Sequence, residues 1–411
     1  MTKKISRRRV LHSSAASVAA LSLDQVVACP RTLCLGARNS KSDGKILVVV
    51  EMAGGNDGLN TVVPFNDDAY RKARPNLRIE KSSCLAINDD RGFHPALTGF
   101  ASLLEQGKLS ILHGIGYPDP NRSHFESMDI WHTCHRKDEP RPDGWIGRAL
   151  QASRRESNDP PAIHLGSEQQ PFALMSRELR VPSIQSLQQF QLRKNGSVDL
   201  SETIRELSAE TTSDENELLG FIQSSTSSAI MTSERMEQTR KQKPSQSTYP
   251  KSNLGQKLQT VSQLIASDLE TRVYYVRIDG FDTHANQPDA HTALLREVGD
   301  AVNAFVADIS GQGNGDRVLV MCFSEFGRRV AENASDGTDH GTAAPVFFAG
   351  GRVRAGEVGD YPSLTDLEEG DLKHHTDFRS VYATVLQQWL ECSSDSILDG
   401  SFPMLPFLDV G

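Results

Sequence analysis

The sequence predicts an α/β protein with a mostly parallel central sheet, helices on both faces and a helical insertion. Short, continuously apolar runs at Lys45–Val50, Leu109–His113, Val273–Ile278 and Val318–Phe323 have the length and composition of strands covered on both sides. Segments with apolar residues at helical spacing separate them, and a repeated strand-helix order is satisfied by crossovers within one parallel sheet. Polar groups able to bind metals or anions follow several of these strands, at the carboxyl ends where ligands of open α/β sheets gather.

The 411-residue composition, 37% hydrophobic and 24% charged, is that of a globular protein with a large core, in one large domain or two. The formal charge of -9, without a basic stripe interleaved with aromatics, argues against nucleic acid as a partner.

The first residues have a different character. Ser6-Arg7-Arg8-Arg9 precedes the mostly apolar Ala15–Leu23, the charge-then-apolar order of a bacterial export signal. The apolar run falls short of the roughly 20 residues that span a bilayer, and the adjacent arginines point to the twin-arginine route. Residues 1–40 therefore read as signal and spacer, and 41–411 as the folded domain. Twin-arginine export machinery is the expected partner, and the periplasm or cell envelope the expected location. Val26-Val27-Ala28-Cys29 resembles a lipoprotein cleavage box, which leaves lipidation at Cys29, with a membrane tether, and simple cleavage both open. The cysteines form no C-x-x-C pair, so no zinc knuckle or disulfide framework is expected, and Cys322 reads as core.

Taken in order, the first strand ends in Gly54-Gly55-Asn56-Asp57, where paired glycines permit a tight turn and Asp57 follows as an oxygen ligand or Asx turn. From Phe93 to Gly107 the spacing predicts a helix stopped by glycine, feeding the strand at Leu109. A proline-rich loop, Pro118 to Arg122, then meets a helix running toward Trp131, with Ser123 near its N-terminus. Asp143–Arg148 reads as a helix entry, and Ala162–Leu165 and Phe172–Met175 as short strands. From 201 to 252 the composition turns polar, with helical periodicity at Ile204, Leu207, Leu218, Leu219 and Ile222, and reads as a solvated insertion or lid. Helices over Leu254–Leu269 and Ala290–Ile309 flank the strand that delivers Asp282 and His284. After Val318–Phe323 come Ser324-Glu325, a polar segment with Asp339-His340, a strand at Pro345–Ala349 and an amphipathic helix over Phe378–Leu390.

Asp57, Asp282, His284, Glu325, Asp339 and His340 thus follow three separate strands and are expected to converge in one pocket. Carboxylate with imidazole suits a divalent ion, one or two in number, of zinc, manganese, calcium or magnesium. Two ions can clamp the attacking and leaving oxygens of an in-line displacement.

The stretches GGNDGLN at 54–60, NRSHFES at 121–127, GFDTHANQ at 280–287, FSEFGR at 323–328 and GTDHG at 337–341 resemble the exported uncharacterised-domain family 1501, assigned to the alkaline phosphatase and sulfatase superfamily. The resemblance implies an alkaline phosphatase-like fold over nearly everything after the signal. It places Asp57 at the superfamily's first-strand metal carboxylate, Asp282 with His284 at the later Asp and His ligands, and His340 at the final ligand. Ser123 lies where the superfamily keeps its nucleophile, ahead of helix amides that favour an anionic group. Ser324-Glu325 stands where alkaline phosphatases carry adjacent Asp and His. The implied function is an exported metal-dependent hydrolase of phosphate or sulfate esters, acting on a small anionic ester held by Arg122 or Arg328. The alternative is a noncatalytic exported binding or assembly protein with the same fold, and for Ser123 a plain helix cap.

Overall fold

The computed structural model describes residues 44–155, 157, 159–185 and 247–409. The signal, Cys29 and the insertion through residue 246 lie outside the described residues.

Along the chain the strands are β1 (Ile46–Ala53), β2 (Val62–Val63), β3 (Leu85–Ala86), β4 (Gly92–Phe93), β5 (Leu109–Gly116), β6 (Ala162–Leu165), β7 (Ser183–Ile184), β8 (Val273–Asp279), β9 (Val318–Phe323), β10 (Ala344–Gly350), β11 (Gly356–Val358), β12 (Leu367–Glu368), β13 (Asp371–Leu372) and β14 (Thr376–Asp377). The helices are α1 (Gly58–Thr61), α2 (Asp68–Ala73), α3 (Thr98–Glu105), α4 (His124–Thr133), α5 (Trp145–Ala152), α6 (Asn253–Ala266), α7 (Gln287–Gly311) and α8 (Phe378–Thr384).

The main sheet runs β11-β5-β10-β9-β1-β8-β6-β7, with β14 also on β5. β1 is parallel to both β8 and β9, and β6 is parallel to β8 and β7. β10 alone runs against the others, antiparallel to β5 and β9. The expected mostly parallel sheet is therefore the one present. β10 can reverse because the chain returns from β9 by a loop, without the crossover that a parallel pair requires. That returning loop carries much of the site.

The side-chain alternation of β1 divides the core. Ile46, Val48, Val50 and Met52 pack with α3, α6 and α7, while Leu47 and Val49 pack with α4, α5 and α8. Helices on both faces explain why the strands are uninterrupted apolar runs. Two boundaries differ from the sequence reading. Phe172–Leu174 forms a 3-10 turn, its Met175 N–H bonding back to Phe172, where a strand was expected. The helix expected over Phe378–Leu390 is α-helical to Thr384 and then widens into a π turn over Val385–Trp389.

Candidate metal centre

The turns after β1, β8 and β9, the loop before β10 and the first turn of α4 supply the polar groups. After β1, Gly54 and Gly55 adopt φ of 118° and 73°, a region that side chains disfavour. A Cβ on Gly54 would stand 2.4 Å from the Asp282 backbone nitrogen, and one on Gly55 2.3 Å from the Phe326 ring. Only a bare backbone lets this turn press against both neighbouring loops. After β8, Phe281 is buried in the core and donates its N–H to the Ala53 carbonyl at 3.2 Å. Asp282 and His284 beyond it keep 47% and 43% of their side chains exposed. After β9, Ser324 and Glu325 turn inward and are buried, and a bridge between Arg328 and His340 folds the loop back on itself.

Three imidazoles meet at one carboxylate oxygen. The Nε2 atoms of His284, His340 and His124 lie 3.0, 3.1 and 3.4 Å from Asp282 Oδ1, and the first two lie 2.8 Å from each other. The opposite ring nitrogens reveal the tautomers. His340 Nδ1 is 2.7 Å from the Arg122 carbonyl, His124 Nδ1 is 2.8 Å from Glu325 Oε1, and His284 Nδ1 is 3.3 Å from Asp339 Oδ1. Carbonyl and carboxylate oxygens only accept, so a neutral ring at each position that donates from Nδ1 leaves its Nε2 lone pair free to ligate.

That arrangement fits a cation. His124 Nε2 is buried with no hydrogen-bond partner, and lone pairs directed at a carboxylate oxygen repel unless positive charge stands among them. Donor atoms about a tetrahedral ion at about 2.0–2.1 Å are separated by about 3.3–3.4 Å, similar to the separations here. His124, Asp282 and His340 each offer a ligand atom, all within 4.8 Å of one another; His284 stands beside that group, its Nε2 3.0 Å from Asp282 Oδ1 and 2.8 Å from His340 Nε2. The partners on Nδ1 are the outer-shell acceptors that orient metal-bound histidines.

Electrostatics agree with this assignment. Burial raises the Asp282 pKa, but Arg328, by hydrogen bond and charge, leads the contributions that more than offset it, and the carboxyl lies at about 2. The bond to Glu325 raises the His124 pKa, so Nε2 is a stronger donor. Burial lowers that of His340 and favours its neutral form. Phe326 lies against two of the rings, its centroid 4.9 Å from those of both His124 and His340.

The other expected site residues are arranged differently. Asp57 does not join the cluster. It and Arg74 are both completely buried and paired at 2.5 Å, and Asp57 also accepts from Gln287 Nε2 and from the Asn60 N–H at the start of α1. The guanidinium supplies the positive charge that an ion was expected to supply. Glu325 sits behind the donors: Oε1 accepts from the Gly54 N–H at 2.9 Å as well as from His124, and Oε2 from the Ser324 hydroxyl at 2.9 Å. Asp339 orients His284 and is itself held by Asn333 Nδ2 at 3.1 Å. Arg328 faces inward. It is buried, pairs with Asp282 at 2.7 Å and donates to the carbonyls of Gly54, Gly55, Phe281 and Thr338. Its donors tie three loops together.

Ser123 occupies the N-cap position of α4, yet its side chain makes no capping bond and the residue is exposed. It immediately precedes His124, the donor that sequence reasoning missed. The signal was present in NRSHFES, since a histidine at the first position of a helix points along the same end of the sheet as the strand-end ligands.

Comparison with known proteins gives three kinds of result. No curated protein matches the chain. Among solved structures, it is similar to the C-terminal periplasmic domain of EptC from Escherichia coli in complex with Zn, at 8% identity over 75% of this chain and 73% of that one, with a TM-score of 0.33. It is also similar to the PsFucS1 sulfatase from Pseudoalteromonas sp., at 10% identity over 89% and 71% with a TM-score of 0.41, and to the phosphonate monoester hydrolase SpPMH from Silicibacter pomeroyi, at 10% identity over 88% and 76% with a TM-score of 0.36. The profile of one family matches residues 44–391, which is nearly the whole described chain. The protein therefore belongs to the family described as "Protein of unknown function (DUF1501)".

Proposed function

We propose that the protein is an exported metal-dependent hydrolase of phosphate or sulfate esters. The observation that carries this reading is the approach of three imidazole Nε2 atoms to Asp282 Oδ1, one of them from His124, which directly follows the exposed, uncapped Ser123 in the chain. An imidazole-rich set favours zinc over manganese, calcium or magnesium, which prefer oxygen shells. His124, Asp282 and His340, with His284 beside them, would hold the ion, which when bound would supply Lewis acidity toward an ester oxygen. The chain's own groups do the rest. Ser123 attacks phosphorus or sulfur, its proton passing to solvent, as the ester's alkoxide departs; water then releases the serine and the free oxyanion. Backbone N–H groups in the first turn of α4 and the Arg122 guanidinium stabilise the anionic group.

The test is a panel of phosphate and sulfate esters on zinc- and manganese-loaded protein. Ser123→Ala should abolish turnover of any active ester while bound metal and melting temperature stay unchanged. Near-normal turnover would remove Ser123 from the chemistry. An inactive wild-type protein across the whole panel counts against the hydrolase reading itself.

Export rests on the arginines before a short apolar run. No helix among the described residues is long and apolar enough to cross a membrane. Replacing Arg7 and Arg8 by Lys should trap the protein in the cytoplasmic fraction, and undiminished export would exclude the twin-arginine route.

A further inference from the structure

The tip of the β12–β13 hairpin meets two arginines at the edge of the metal centre. Glu369 and Gly370 form its turn, both with positive φ, 52° and 87°, as a two-residue hairpin with right-handed strand twist demands. The turn presents two carboxylates with different surroundings. Asp371 is buried, with 1% of its side chain exposed, and pairs with both Arg122 and Arg329. Glu369 is 74% exposed and reaches Arg122 at 3.2 Å. The arginines keep 34% and 39% of their side chains exposed.

Both arginines arise from backbone that fixes the centre. The Arg122 carbonyl accepts from His340 Nδ1, and the Arg329 N–H donates to the Asp339 carbonyl at 3.0 Å. Asp371 neutralises one of their two charges and, being buried, holds the guanidiniums side by side. Glu369 offsets the other, but an ion pair this exposed contributes little and exchanges readily.

We infer that Arg122 and Arg329, gathered by Asp371, form an oxyanion subsite at the rim of the metal centre, and that the Glu369 carboxylate occupies it until a phosphate- or sulfate-type anion displaces it. The inference rests on the ester-hydrolase reading for its biological ligand, although the subsite itself is defined by charge and position. Arg329 thereby acquires a binding role that Arg328, turned inward, does not have. Two planar guanidiniums suit a tetrahedral oxyanion, which can accept from both at once.

Calorimetric titration of inorganic phosphate into the metal-loaded protein tests this, with chloride as the control anion. Glu369→Gln removes the competing carboxylate from an exposed position and should tighten phosphate binding by roughly 1.5- to 5-fold, on the scale of one exposed ion pair. Arg329→Gln should weaken it by at least 10-fold with bound metal unchanged. Phosphate affinity indifferent to both substitutions would overturn the subsite, even if ester turnover is found. Conversely, the expected shifts in a protein that turns over no ester would uphold the subsite and count only against the hydrolase.

Discussion

A His284→Ala, His340→Ala double variant should retain no zinc after equilibrium dialysis at concentrations that saturate the native protein. The three-residue group loses His340, its neighbour His284 is also gone, and the remaining His124 and Asp282 offer too few ligands to hold the ion. Both histidines are partly exposed, at 43% and 23% of their side chains, so the variant should fold and circular dichroism should match the native spectrum. Glu325→Gln provides the graded comparison. It keeps the shape of the His124 partner and removes its charge, and outer-shell changes of this kind cost about 10–100-fold in metal affinity. Native zinc affinity in the double variant would dismiss the centre.

Asp57→Ala should have the opposite profile, with unchanged zinc affinity and a large loss of stability. The substitution strands the Arg74 guanidinium, 0% exposed, with only the Val330 and Arg329 carbonyls as partners, and an uncompensated buried charge costs about 3–5 kcal/mol. Denaturant midpoints measure that loss. A second effect is pH-dependent. Burial raises the Asp57 pKa, but Arg74 more than offsets it, and the net folded value lies below the ordinary 3.8. A carboxyl depressed on folding stabilises above its unfolded pKa, and that contribution fades as pH falls through the folded value. Native protein should therefore lose stability more steeply in acid than the variant does. Loss of bound zinc in folded Asp57→Ala would return Asp57 to the metal set.

The architecture was legible because its strands are buried on both faces, and burial leaves continuous apolar runs whose short length, β-branched content and flanking turns favour strands over buried helices. Asp282, His284 and His340 were legible for a related reason: each follows a strand or its return loop, where the sheet opens. The partners were not. Nothing around residue 57 announces that Arg74, arriving from the end of α2, will occupy its carboxylate. Glu325 reads as a ligand from its place after β9, but Ser324, the Gly54 N–H and His124 take both of its oxygens. Charge satisfaction between distant segments decides these cases, and local sequence does not encode it. His124 was not legible because a lone histidine in the first turn of a helix carries no local sign of which strand ends that turn will face. The Phe172–Leu174 turn was misread because four apolar residues lack the length to distinguish a strand from a tight coil.

The donors to the metal centre come from widely separated points of the chain, with more than half its length between His124 and His340. In an unfolded chain they have no reason to be near one another. An ion bound there would act as a reversible cross-link between the first turn of α4 and the loop entering the late strand β10, and would tie folding to metal supply. At a free ion concentration about 100 times Kd, this linkage adds about 2.7 kcal/mol to the folded state. A chain that has not yet added β10 and its preceding loop cannot close the site, so metal retention reports completed folding.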